Sequence, residues 1–233
     1  MAQLASVIAG AAPHVVLLEE ATDPAVVEDL ARRTGMPWHA ARQGHSLAAL
    51  SRVEVARHAW HRPRWMRRAF LEVQLARNLR LFGVHLSAWH TRWTERWRVL
   101  QLRSLLAWIR RLEGPHVVAG DFNTLAPGEE LDVARLPPRL RALFWLSGAR
   151  IRWQTVDAML SARYVDAYRR LNPREPGATF PTWDPYLRLD YAFVTEPLVD
   201  RVASCRVITA PPAADASDHF PLLIELAGPG DRP

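Results

Sequence analysis

The chain has 233 residues, 49% of them hydrophobic, and a formal net charge of +6. That length and apolar content suit one α/β domain with a full core. A lone cysteine, Cys205, excludes an intrachain disulfide, and no apolar run approaches the ~18 residues of a membrane span. There is no lysine, so every basic side chain other than histidine is arginine. Arginine grips phosphate oxygens with a planar fork, and the basic balance fits a polyanionic or phosphate-bearing partner. The alternative is that composition bias replaces lysine and most arginines are simply solvated. Met1-Ala2-Gln3-Leu4 lacks a basic n-region and makes a poor secretory signal. A cytoplasmic monomer with no stable membrane insertion is the expectation.

Leu4, Val7, Ile8 and Ala11 recur at helical spacing, and Pro13 ends the run. His14 to Glu20 reads as an apolar strand finishing in two acids. Asp23-Pro24 reads as an N-cap and first helical residue, opening a helix to about Arg33 that Gly35 stops. Trp38 to Arg42, Ser46 to Arg52 and Val53 to Arg57 read as short strands around a turn at Gly44. His58 to Arg68 reads as a loop dense in Arg, Trp and His. Such a loop suits base stacking and phosphate pairing, or else Trp60 and Trp65 cover the core edge. Ala69 to Ala76 and Leu79 to Leu86 read as a hairpin around Arg77-Asn78, with His85 near its end. Thr91 to Arg111 reads as a long helix. Its buried stripe is Leu102, Leu105, Leu106, Ile109 and Leu112, which Trp93, Trp97 and Trp108 extend.

Val117-Val118-Ala119 follows Gly114-Pro115 as a buried strand and runs into Gly120-Asp121-Phe122-Asn123. Strand alternation puts Asp121 and Asn123 on one side and returns Phe122 to the core. A carboxylate beside a carboxamide at a strand end suits an activated water and a phosphate oxygen. Alone, the tetrapeptide reads as well as a strand entering a polar turn. Leu125 to Ala162 is rich in Pro and Arg. Within it Arg139 to Leu146 forms a helix that packs on the body, or docks a membrane surface through apolar and basic faces. Thr179 to Trp183 precedes the strand Arg188 to Val194; Arg201 to Thr209 and Phe220 to Leu226 supply the last strands. The domain is expected over 1–227, with 228–233 as a tail.

The order of Val15 to Glu20, Val84-His85-Leu86, Gly120-Asp121-Phe122-Asn123, Leu189-Asp190-Tyr191 and Ser217-Asp218-His219 resembles the endonuclease/exonuclease/phosphatase superfamily. These metal-dependent phosphoesterases include pancreatic-type deoxyribonuclease, abasic-site endonucleases, sphingomyelinases and inositol-phosphate phosphatases. The resemblance runs from about Leu4 to Leu226. It implies an α/β fold: a four-layer α-β-β-α sandwich of two mostly antiparallel sheets. It implies Mg²⁺ (or Mn²⁺) on Glu20, with Asp218 at the same or a second position. Glu19 takes the family's glutamine position. Asp121 would orient and deprotonate water, Asn123 would donate to the phosphate, and His219 would contact the phosphate or shuttle a proton. Asp190 would fix the His219 tautomer, His85 would be a second imidazole, and Arg188 would help bind phosphate. Asp166, in a matching Val-Asp-Ala segment, is read as structural.

The chain departs from the family in two places. Members start one strand earlier, with an Asn near its end, whereas Asn78, Asn123 and Asn172 all follow Glu20. The family's first strand is therefore unrecognisable here, which leaves a sheet edge unpaired within the fold. Arg67-Arg68 also holds no carboxylate to support His85. The implied function is Mg-dependent hydrolysis of phosphodiester or phosphomonoester bonds by in-line attack of water. Nucleic acid, DNA or RNA, is weakly preferred as substrate. The alternatives are a lipid or inositol-phosphate phosphoesterase, or a catalytically impaired phosphate-binding member.

Overall fold

The computed structural model describes residues 1–63, 66, 68–76, 78–88, 92–146, 148 and 153–228; the expectations on Trp65, Arg67, Arg77, Thr91 and residues 229–233 lie outside the described residues. Local signals settle the first helices. Helix α1 (Ala2–Ala11) turns Val7 and Ile8 inward and ends at Ala12, in the left-handed conformation, just before Pro13. Strand β1 (Val15–Leu18) follows. Helix α2 (Pro24–Thr34) is capped as its sequence predicts. Asp23 accepts the Ala25 N–H at 2.9 Å, Pro24 has no N–H to orphan, and Gly35 (φ 62°) closes the end on the Ala31 and Arg32 carbonyls.

The remaining strands are β2 (Trp38–Ala40), β3 (Ala48–Ser51), β4 (Val55–His61), β5 (Phe70–Leu75), β6 (Arg80–His85), β7 (His116–Asp121), β8 (Val165–Asp166), β9 (Asp190–Val194), β10 (Val202–Val207) and β11 (Leu222–Leu226). The helices between them are α3 (Arg92–Ile109), α4 (Pro138–Leu146), α5 (Gln154–Ser161), α6 (Ala167–Leu171), α7 (Glu196–Val199) and α8 (Ala213–Ala216). A six-stranded sheet has the order β4-β5-β6-β7-β9-β8. Its β6–β7 pair is parallel and joined through α3, the long crossover that parallel neighbours need. Its other pairings are antiparallel.

Alternating side chains build the layers. Phe70, Phe82, Val118 and Phe193 leave one face of the large sheet and pack on Leu102, Leu105 and Ile109 of α3 and on Val156 and Met159 of α5. Leu71, Val73 and Val117 leave the other face. There they meet Leu17 and Ala49 of a three-stranded sheet (β1-β3-β2), Leu47 just before β3, and Cys205, Leu222 and Ile224 of the β10-β11 pair. Val16, Leu18, Ala48 and Leu50 point outward beneath Ile8 of α1 and Val27 and Leu30 of α2. The result is the four-layer α-β-β-α sandwich. Each fully buried Leu or Phe contributes on the order of 1.5–3 kcal/mol to it.

The smaller sheet layer is divided. β1 ends the three-stranded sheet and β11 ends the two-stranded one, and these two edge strands are not hydrogen-bonded to each other. α1 spans the division on the outside: Ile8 packs with β1, and Val7 packs with Val207, Ile208 and Phe220. This matches the expectation of a sheet edge left unpaired inside the fold.

Two local expectations are corrected. His58 to His61 is not loop but the second half of β4, paired antiparallel with β5. Trp60 donates its indole N–H to the Leu47 carbonyl at 3.1 Å and packs in the inter-sheet core, so it covers the core edge. Helix α3 keeps its expected stripe, but Trp93 and Trp97 are 68% and 38% exposed. The inward positions in that half of the helix belong to Glu95, Arg98 and Gln101. Glu95 receives Arg98 at 2.7 Å, the Thr155 N–H at 2.8 Å, and the Thr155 and Thr124 hydroxyls at 2.9 and 3.2 Å. Arg98 donates onward to the Ser87 carbonyl at 2.8 Å. A polar network therefore occupies the face on which the tryptophans were expected. α4 is seated through Phe144, while Trp145 and Leu146 remain exposed.

Candidate active site

The register of the large sheet makes the first alignment. Val84-His85 on β6 runs beside Gly120-Asp121 on β7, and Asp121 is paired across to Asp190 at the start of β9. His85, Asp121 and Asp190 thus stand in a row over three neighbouring strands, one strand spacing (about 4.8 Å) apart. Phe122 turns into the helix-side core and its N–H bonds the Leu189 carbonyl, so Asp121 points between the sheets. His219, in the loop before β11, closes the group with Nδ1 2.8 Å from Asp190 Oδ2.

Asn123 sits in the left-handed region (φ 52°), which brings its own N–H to Asp121 Oδ1 at 2.7 Å. Its side-chain amide donates to the other Asp121 oxygen and to the Leu86 carbonyl at 3.2 Å. In this arrangement the amide holds Asp121 in place. His85 Nε2 lies 3.8 Å from Asp121 Oδ2, and its buried Nδ1 has no hydrogen-bond partner.

Two residues of the cluster were not assigned a role there from sequence. Glu19 is half-buried, with its carboxyl over the backbone of Gly120. Strand parity is the signal that could have found it: Leu17 faces the other sheet, so Glu19, two residues on, faces it too. Glu20 lies at the exposed rim with φ 55°. The second residue is Arg68, which donates to the carbonyls of His85 and Leu86 at 3.1 and 3.0 Å. Its charge faces Asp121 and Glu20. Asp218 is exposed beside His219.

Arg188 is not part of the cluster. It is 3% exposed, bonded to Asp166 at 2.7 Å and Glu129 at 2.6 Å, and stacked 4.3 Å over the Tyr191 ring. It lines an open cavity of about 400 Å³ with Arg169, Arg174 and Glu175. Asp166 caps α6 and anchors this arginine, which is a structural use.

Electrostatics gives each group a state. Burial, then the charges of Asp190 and Asp121, raise Glu19 to about 8. Burial and the Asp190 charge hold Asp121 well above the usual carboxylate range. Burial, Arg68 and His219 depress His85 to about 4, so it is neutral at pH 7. Burial opposes charge on His219, but Asp190, Asp121 and Asp218 outweigh it and raise the imidazole to about 9. His219 is therefore an imidazolium at neutral pH. Acids crowded until they resist ionising are hard oxygen donors short of positive charge, which is what a divalent cation supplies. Among the described residues no three His, Cys, Asp or Glu side chains form a ready-made metal cage. Mg²⁺ does not need one, since it keeps several waters and takes one or two carboxylates.

A sequence profile of the Endonuclease/Exonuclease/phosphatase family matches residues 1–219. The chain belongs to the Endonuclease/Exonuclease/phosphatase family. Solved structures carry the same fold. An AP endonuclease from Archaeoglobus fulgidus superposes with a TM-score of 0.73 at 17% identity, over 96% of this chain and 92% of that one. The 3′ phosphatase NExo from Neisseria, solved with a product DNA hairpin, gives 0.74 at 17% identity, over 97% and 94%. A humanized D. rerio TDP2 gives 0.67 at 21% identity, over 97% and 90%. No curated protein sequence matches the chain. Endonuclease/Exonuclease/phosphatase family members are hydrolases, among them nucleases and phosphatases.

Gly120 is the backbone on which this cluster rests. Its φ is +133°, and a Cβ there would lie 2.1 Å from the Val84 carbonyl oxygen and 2.8 Å from Glu19 Oε1. The Glu19 side chain can swing away, but the β6 backbone cannot. Gly120→Ala is expected to destabilise the fold by about 3 kcal/mol or more, read as a lowered urea midpoint. An unchanged midpoint would show that the β6–β7 approach is not as close as described.

Proposed function

We propose that this chain is a divalent-metal-dependent phosphoesterase whose substrate is a nucleic acid. The carrying observation is the row His85–Asp121–Asp190, closed by His219 on Asp190 at 2.8 Å. Glu20 and Asp218 are the carboxylates that would hold Mg²⁺ (or Mn²⁺). When bound, the ion neutralises phosphate charge.

The protein's own groups supply the proton traffic. Asp121, clamped by Asn123 and ionised at neutral pH only once a bound cation offsets the surrounding negative charge, would orient a water and take its proton as the water oxygen bonds to phosphorus. The His219 imidazolium, its orientation set by Asp190, donates its Nε2 proton to the departing oxygen as the P–O bond breaks. Neutral His85 accepts a hydrogen bond or donates one to a phosphate oxygen. Arg68, tied to the carbonyls beside His85, adds fixed positive charge near the acids. A second reading, a phosphate-binding member with impaired catalysis, draws on the divided sheet layer and on the unpartnered His85 Nδ1.

The test is hydrolysis of a panel: single-stranded and duplex DNA, RNA, an inositol phosphate and a sphingomyelin vesicle. Cleavage of nucleic acid that EDTA abolishes and Mg²⁺ restores is the expected result. Mg²⁺-dependent turnover confined to the inositol phosphate or the lipid would replace the substrate assignment. Turnover of none, with phosphate binding retained, would establish the impaired reading.

A further inference from the structure

Residues 179–187 form a short closed loop that ends against the site. Phe180 and Leu187 exchange backbone hydrogen bonds at 2.9 Å in each direction, and the Asp184 N–H returns to the Pro181 carbonyl at 3.2 Å. The loop is fastened to the segment that carries His219. The Thr182 N–H bonds the Asp218 carbonyl at 3.0 Å, its hydroxyl bonds the Ser217 carbonyl at 2.9 Å, and the Phe220 N–H bonds the Thr179 carbonyl at 2.8 Å. Phe180 lies against the His219 imidazole with ring centroids 4.7 Å apart, and Trp183 lies edge-on to Phe180 at 6.1 Å. Asp184 at the tip is paired with Arg135, whose guanidinium lies 4.2 Å over the Tyr186 ring.

Trp183 is 74% exposed. A single exposed aromatic residue needs no explanation by itself. Its mounting is what distinguishes this one. The residue before it is bonded twice to the residues before His219, so the backbone that carries the indole keeps a fixed relation to the imidazole. It lies no farther from the imidazole than the two ring-to-ring steps through Phe180. That is about the reach from a phosphate, through its sugar, to the attached base. A rigid indole face costs little ordering entropy when a flat ligand group stacks on it, and every base has such a face.

We propose that Trp183 is a substrate-binding platform that stacks on an unpaired nucleobase next to the scissile phosphate. The substrate is then a single-stranded or frayed nucleic-acid end rather than a bare phosphoester. This deepens the reading of the site as a nucleic-acid phosphoesterase and rests on it.

The experiment compares a fluorescein-labelled single-stranded oligodeoxynucleotide with a phosphodiester chain of equal length carrying tetrahydrofuran in place of every base. Both have the same charge, and binding is read by anisotropy at one fixed salt concentration in EDTA, so no turnover is required. Trp183→Ala is expected to weaken binding of the base-bearing strand about tenfold, Trp183→Phe to keep most of it, and neither to alter binding of the base-free chain. With Mg²⁺, the same contrast should appear in KM for the base-bearing strand, with kcat unchanged. Equal losses on both chains, or none on either, would overturn the platform. So would an intact protein that binds the two chains equally. A Trp183→Ala variant that loses affinity for phosphatidylcholine/phosphatidylserine vesicles but not for the oligonucleotide would make the indole a membrane contact instead. Each of these outcomes leaves the phosphoesterase reading to be decided separately, by EDTA-sensitive turnover.

Discussion

Asp121→Asn should lower kcat on a cleavable phosphodiester about a thousandfold, the scale expected when a positioned base loses its ability to take a proton. The same substitution should raise the melting temperature measured in EDTA. The reason lies in the folded-state charge balance. Burial and the facing Asp190 hold the Asp121 carboxyl well above its ordinary range, so its ionised form is disfavoured in the fold relative to the unfolded chain. A carboxyl with a raised folded pKa weakens the fold at any pH above its unfolded value, and a neutral amide of the same shape removes that burden. Asn at this position still accepts the Asn123 N–H at 2.7 Å through Oδ1, while its NH2, in place of Oδ2, requires the Asn123 side-chain amide to turn its oxygen toward it. Activity falling while stability rises is the mark of a functional site. If both fall together, Asp121 is a structural acid and the proton-acceptor role is wrong.

Glu95→Ala is expected to have the largest effect on stability, about 3–5 kcal/mol, or a melting temperature lower by about 10 °C. Arg98 is almost fully buried, and Glu95 is its charge partner at 2.7 Å. Removing the carboxylate takes that partner from a buried guanidinium, and takes one acceptor each from the Thr155 N–H, the Thr155 hydroxyl and the Thr124 hydroxyl. Thr124 follows Asn123, so the loss should also loosen the clamp on Asp121. The double variant Glu95→Leu/Arg98→Met, which removes both charges and keeps the volume, should recover the part of the loss due to the uncompensated charge but not the part due to the lost Thr155 bonds. Thermal unfolding of the single and double variants decides it. A single variant as stable as the parent would mean that the buried pair contributes nothing.

Much of the candidate site is legible in the sequence because its signals are local. Gly120-Asp121-Phe122-Asn123 needs only strand alternation to put its acid and amide on one side. Ser217-Asp218-His219 and Leu189-Asp190-Tyr191 are contiguous in the chain. Glu20 shows where such reading stops. Two adjacent acids end β1, and motif position favours Glu20, yet Glu19 is the one set over Gly120. Which neighbour turns inward depends on which face of β1 the large sheet covers. Arg188 is similar: an arginine two residues before Asp190 suggests a phosphate ligand, but Glu129 and Asp166, distant in sequence, take it as a buried ion pair. Arg68 shows in the sequence only as a member of an arginine-rich loop; its hold on the His85 and Leu86 carbonyls does not show, because backbone acceptors leave no mark on residue type.

The sequence by itself determined the secondary elements with local punctuation: α2 between Asp23 and Gly35, the β5–β6 hairpin, the apolar stripe of α3 and the acid-bearing end of β7. It also determined the family, because several short motifs recur in a fixed order. The tertiary structure alone decided that β1 and β11 end separate sheets, that Glu95 and Arg98 rather than Trp93 and Trp97 face inward, and that Phe180, with Trp183 at its edge, lies against His219. Caps, turns and alternation act over a few residues, and the chain states them directly. Burial of a charge, the choice of inward face and the meeting of loops far apart in sequence depend on what packs against them, and that exists only once the layers close.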